Sequence, residues 1–195
     1  VGAEAIFAAM SEQVQTPPGP LTVEQFFAWV DQQPKGRYEL IRGEVFCMTH
    51  ELIGHARAKL AVLLALRSAI KAAGLPCEAF IDGVGIRIAD DTLYVPDASV
   101  NCGDRIANDL RALPNPVIVV EVTSPSTARV DSTDKLEDYF RLPSLQHYIQ
   151  VNLHRRAIFH HRRHGADVLS TPLRGGQLLL DPPGITLQVE DLFEA

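Results

Sequence analysis

Two acidic residues are set where they would do chemistry. Glu121 interrupts VIVVEV (117–122), an apolar run that otherwise reads as a strand buried on both faces. A carboxylate taken out of water without a cationic partner costs several kcal/mol or takes up a proton, so Glu121 requires a partner from elsewhere in the chain. Asp97 follows Pro96 in LYVPDASV and stands 24 positions before Glu121. Adjacent strands would bring both carboxylates to one end of a sheet, and two hard oxygen donors together make a Mg²⁺ or Mn²⁺ site. The cation would neutralise charges that otherwise repel. Plainer readings stand beside this one. Spacing alone favours Asp97 as a strand-edge aspartate after proline, and an ion pair with Lys135 or an arginine would equally satisfy Glu121.

The elements that must position these residues follow from periodicity and punctuation. The TPPGP cluster ends a stretch that reads as an N-terminal tail, residues 1–20, and one domain is expected over 21–195. Thr22 is a plausible N-cap for a short amphipathic helix carrying Val23, Phe26, Phe27 and Val30, stopped by Pro34. RYELIRGEVFCM reads as a hairpin turning at Arg42-Gly43, with Glu44 opening its second strand. Leucines at helical spacing predict the longest helix over Leu52–Ala73, closed by Gly74. CEAFI, GVGIRI and LYVPDASV read as short strands in a meander, and VIVVEV as the central strand. A helix is expected from about Ser132 to Pro143, with HYIQVN, RAIFHH and DVLST as further strands. The order predicts an α/β or α+β fold, a mixed sheet with helices on its two faces.

Composition sets outer bounds. The 195 residues are 46% hydrophobic and 22% charged, as in an ordinary globular domain. The net charge of -6 argues against a protein that coats nucleic acid by bulk electrostatics. A local basic patch is expected at HRRAIFHHRRH (154–164), which holds four Arg and four His without an acid. Cys47, Cys77 and Cys102 are dispersed and odd in number, which argues against a disulfide framework and for a reducing, cytoplasmic setting. No apolar run reaches the roughly 20 residues of a membrane span, so no membrane partner is expected. The Ser124–Thr127 hydroxyls lack a GxSxG elbow and read as turn and cap chemistry, and Asp131 as a helix-start acid or an i, i+4 partner of Lys135.

RYELIRGEV, His55, VPD, PVIVVEVTSPST, DSTDK, Tyr139 and LPSLQHYIQV together resemble the Uma-two family of restriction-endonuclease-like domains, common in bacteria and assigned to the PD-(D/E)xK nuclease superfamily. The likeness runs from about Leu21 to the C-terminus. It implies a restriction-endonuclease-like sheet, with Asp97 and Glu121 as ligands of Mg²⁺ or Mn²⁺. The superfamily's E-x-K lysine is absent, because Thr123 stands two positions after Glu121. Lys135, on the helix after the strand, is the expected replacement, orienting the attacking water and stabilising phosphate charge. Glu44 is implied as a third carboxylate, and His55 as facing the same region.

The resemblance therefore implies a metal-dependent endonuclease-like phosphodiesterase acting on nucleic acid, with DNA the expected substrate and a homodimer expected by analogy. A rival reading keeps the fold without turnover, as a binding or scaffold module. The missing E-x-K lysine and the acidic net charge favour the rival.

Overall fold

The computed structural model describes residues 17–34, 36–48, 50–123 and 132–193. Ser124–Thr127 and Asp131, like most of the expected tail, lie outside them. The chain divides into two compact units, one of Val1–Thr49 with Ala89–Tyr94 and the other of His50–Ile88 with Val95–Ala195.

In the first unit, α1 (Val23–Val30) starts where Thr22 predicts. The Thr22 hydroxyl accepts the Gln25 backbone N–H, and the Gln25 side chain accepts the Thr22 N–H at 2.8 Å, a reciprocal capping box. The hairpin is also as expected. β1 (Tyr38–Ile41) and β2 (Glu44–Cys47) pair antiparallel across Arg42-Gly43, whose φ values of 51° and 81° are those of a two-residue primed turn. β5 (Thr92–Tyr94) pairs with β1 through Leu40 and Leu93, which are buried as are Val23, Phe26 and Tyr38. Trp29 sets its ring edge-on to Tyr38 at 5.2 Å.

The second unit is built on α2 (Ile53–Ala73) and a six-stranded sheet. Its strands are β3 (Cys77–Ile81), β6 (Ala98–Cys102), β7 (Pro116–Thr123), β8 (His147–Asn152), β9 (Ala157–His164) and β10 (Asp167–Leu173), in the order β10-β9-β8-β7-β6-β3. β7 is central, as expected, and runs parallel to β8. That pairing requires a crossover, supplied by α3 (Ser132–Phe140). The sheet is therefore mixed, and the α+β expectation holds.

Three expectations are corrected. LYVPDASV is two strands, β5 and β6, because Pro96 has no N–H to continue a ladder. The strands do not meander: β3 pairs with β6, while β4 (Ile86–Ala89) lies outside the six-stranded sheet. Nor do the cysteines stay apart. Cys77 and Cys102 are 25 residues distant in sequence yet face each other in the β3–β6 register and are joined by a disulfide, leaving Cys47 free and exposed. The argument for a reducing setting from dispersed thiols loses its support. A C-terminal hairpin, β11 (Gln177–Leu180) with β12 (Ile185–Gln188), is an addition to the expected elements. Its alternate residues Leu178, Leu180, Ile185 and Leu187 enter the core, and a 3₁₀ turn at Glu190–Phe193 adds Leu192.

Strand alternation sorts β7 between two faces. Val120 and Val122 pack with Ala58, Val62, Leu66 and Ile70 of α2, while Glu121 between them turns to α3. Gly74 closes α2 with φ of 63°, its N–H reaching the carbonyls of Ile70 and Lys71. Among the described residues no helix is long and apolar enough to cross a membrane.

The basic run 154–164 is not one patch. His160 and His161 are buried in β9, and burial depresses His160 to about 4, helped by His147 and Arg162. Arg163 turns inward to the end of α3, where its guanidinium donates to the carbonyls of Phe140, Leu142 and Leu145, each at 2.8 Å, and lies over the Phe140 ring. A charged donor here satisfies carbonyls that a helix terminus leaves open. Arg163→Ala should lower unfolding stability by about 2–3 kcal/mol, as expected for loss of charge-assisted bonds. Arg163→Lys should recover only part of that in a urea titration, since an ammonium cannot span three carbonyls as a guanidinium does.

Candidate functional site

The site lies at one end of the six-stranded sheet, and its first half comes from α2. His55 and Lys59 lie one turn apart on one face of α2, and Glu51 stands two residues before the helix begins. Opposite them is Asp97, just before β6. Its Oδ2 accepts the Val122 backbone N–H at 2.7 Å and lies 3.2 Å from Nε2 of His55. Lys59 Nζ stands 3.4 Å from Oδ1 of the same carboxylate. Lys59 also donates to Glu51 at 2.9 Å and to Asp82, on the turn after β3. This lysine is only 2% exposed, so its charge is matched entirely within the protein.

Burial pushes the Asp97 carboxyl up. The His55 and Val122 hydrogen bonds, with the positive potential of His55 and Lys59, outweigh it and hold Asp97 below its ordinary value. Burial likewise works against the Lys59 ammonium, but Asp82, Glu51 and Asp97 hold its pKa above the usual lysine value. Both groups are therefore ionised at neutral pH.

The second half belongs to α3. The last pair of the β6–β7 ladder is Ala98 with Val120, so one step further Asp97 stands across from Glu121. Glu121 Oε1 accepts from Lys135 Nζ at 3.1 Å and from the Tyr139 hydroxyl at 3.0 Å. Lys135 and Tyr139 are one helical turn apart and share a face. The Tyr139 ring packs on Tyr148 at 5.0 Å, and burial, then the Glu121 charge, push the Tyr148 hydroxyl pKa up. The cation required by Glu121 in its apolar strand is Lys135.

The sheet thus brings Asp97 and Glu121 to neighbouring strand ends, with Lys135 on the second and His55 on the first. Glu44 is exposed at the head of β2, in the first unit. The acid near His55 is Glu51, whose Oε2 lies 3.7 Å from Nε2. Among the described residues, the donor atoms gathered within 4.8 Å of one another are those of Glu51, His55 and Asp97, and Glu121 is outside that group. Carboxylate oxygens suit a hard divalent ion, and the imidazole is compatible with Mn²⁺. Glu51, Lys59 and Asp82 escaped the sequence reading. The first two were detectable as the E-x-x-x-H-x-x-x-K spacing of ELIGHARAK, but Asp82 carries no local signal.

Residues 23–192 match the Uma-two family, described as "Uma2: Putative restriction endonuclease". The chain belongs to this family. The uncharacterized protein slr1290 of Synechocystis sp. (strain ATCC 27184 / PCC 6803 / Kazusa) is 29% identical over 133 residues, 68% of each chain. In fold, the chain is similar to a crystal structure of "a putative nuclease belonging to DUF820 from Anabaena variabilis ATCC 29413". The TM-score is 0.69 at 18% identity, covering 89% of this chain and 98% of that one. The fold is nuclease-like.

His55→Leu should raise the Asp97 carboxyl pKa, since burial then meets less opposition. In the wild type, the depressed pKa contributes stability that is present above the ordinary carboxyl value and lost as pH falls through the depressed one. The variant's acid unfolding limb should therefore move to higher pH. A carboxyl ¹³C NMR titration of Asp97 measures the shift directly, and an unmoved midpoint would show that Val122 and Lys59 suffice without His55.

Proposed function

We propose that the protein is a metal-dependent phosphodiesterase of the endonuclease type, acting on nucleic acid with DNA as the substrate. The observation that carries this reading is the reach of Lys135 from α3 to Glu121, 3.1 Å away, on the strand next to Asp97. Lys135 would supply the ammonium that Thr123, which carries no amine, cannot.

Asp97 and Glu121 would hold Mg²⁺ or Mn²⁺, with Glu51 in the third-carboxylate role that the resemblance assigned to Glu44. A bound divalent ion supplies Lewis-acid polarisation of a phosphoryl oxygen and a water of lowered pKa. Lys135 orients that water and meets charge developing on the phosphate. Tyr139 holds Glu121 Oε1 beside Lys135, and His55 with the Val122 N–H fixes the Asp97 carboxylate. Of the arginines in the basic run, Arg155, Arg156 and Arg162 are exposed and would meet phosphates, Arg156 while also lying over the Phe193 ring. A homodimer, by analogy with nucleases that cut both strands, completes the proposal. The alternative, a binding module without turnover, is favoured by the engagement of both Asp97 oxygens within the protein.

Mg²⁺ or Mn²⁺ at a hundredfold excess over Kd should stabilise the fold by about 2.7 kcal/mol, seen as a rise in Tm, and Asp97→Asn should abolish the rise. On plasmid DNA with Mn²⁺, Lys135→Ala should keep that thermal shift but cut cleavage by about 100-fold or more. Equal cleavage by Lys135→Ala would remove Lys135 from the mechanism. A wild type that binds metal without cutting DNA or RNA would leave the binding-module reading in its place.

A further inference from the structure

Lys59 is buried among acids contributed by three separate segments: Glu51 before α2, Asp82 after β3 and Asp97 before β6. A lysine buried to this degree is uncommon unless its charge has a definite counterpart. Here the counterpart is a set of hard carboxylate oxygens converging on one point, the surroundings that a divalent ion takes. Asp97 also divides its oxygens as a bridging carboxylate does. Oδ1 faces Lys59, while Oδ2 faces His55 and the backbone beside Glu121. In two-metal phosphodiesterases, ions about 3.5–4 Å apart share such a carboxylate.

We propose that the Lys59 ammonium is a permanent substitute for the second metal ion, so that each chain takes up one divalent cation and not two. The inference rests on the metal-dependent reading above and specifies its stoichiometry. Charge supports it. Glu51, Asp82, Asp97 and Glu121 bring four negative charges, Lys59 and Lys135 two positive ones. These acids outnumber these lysines by two charges, which one divalent ion matches. A second ion would have to compete with a tethered ammonium for the same oxygens. The tether decides that competition, because Lys59 enters no entropy of association. Lys59 is a positioning residue in this arrangement, holding Glu51, Asp82 and Asp97 in register.

Mn²⁺ binding followed by electron paramagnetic resonance tests the count without reference to activity. Wild type should bind one Mn²⁺ per chain, with no spin coupling between ions. Lys59→Met should double the count to two with a coupled spectrum, and Lys59→Arg should keep one. A measurement on the intact chain covers the case in which Lys59→Met does not fold. The ¹⁵N signal of the Lys59 ammonium should persist with Mg²⁺ and be broadened away by Mn²⁺, as for a charge one carboxylate from the ion. Two Mn²⁺ in wild type, a single Mn²⁺ in folded Lys59→Met, or a Lys59 signal untouched by Mn²⁺ overturns the inference while the metal-dependent reading stands. No Mn²⁺ bound by wild type overturns both.

Discussion

The ionised carboxylate of Asp97, held at the end of the sheet, is the constraint on which the rest of the site depends. It joins three parts of the second unit at once: the central strand through the Val122 N–H, the long helix through His55 and Lys59, and its own strand β6. Water is largely excluded, so the charge persists only because each oxygen meets a donor. Loss of one donor would leave a buried charge under-satisfied, which is more damaging than loss of a surface contact. The entry of α2 and the end of β7 are therefore tied together by electrostatics as well as by the apolar contacts of Val62 and Leu66 beneath.

The central strand β7 separates stability from chemistry by alternation. Val120 and Val122 join the core under α2, and Glu121 projects from the other face to Lys135 and Tyr139 of α3. The same helix is held at its far end by Arg163. An arginine that sequence composition would assign to a nucleic-acid surface thus supports the helix carrying the lysine closest to Glu121. The site's two acids lie next to each other in the sheet yet have separate sets of partners, and the cations Lys59 and Lys135 come from different helices.

Much of the scaffold was legible in local chemistry. The Thr22 cap, the Arg42-Gly43 turn, the long helix closed by Gly74 and the central position of VIVVEV all follow from periodicity and punctuation, which act over a few residues. The demand for a cation near Glu121 was legible too, since a carboxylate in an apolar strand implies one. The C-terminal hairpin was missed, although QLLL and ITLQ flank the turn residues of DPPG.

Strand register and the convergence of distant segments were decided only by the tertiary structure. Nothing local sets Cys77 opposite Cys102, divides LYVPDASV between two sheets, or buries His160 and His161 while leaving Arg162 exposed. The sequence by itself determined that Glu121 needed a cationic partner, and it offered Lys135 as one. It did not determine that Glu51, Lys59 and Asp82 would gather on Asp97, or that Glu44 would be placed in the first unit. The physical reason is that propensity and capping act along the chain, whereas the pairing of buried charges depends on which strand ends and helix starts the packed core brings together.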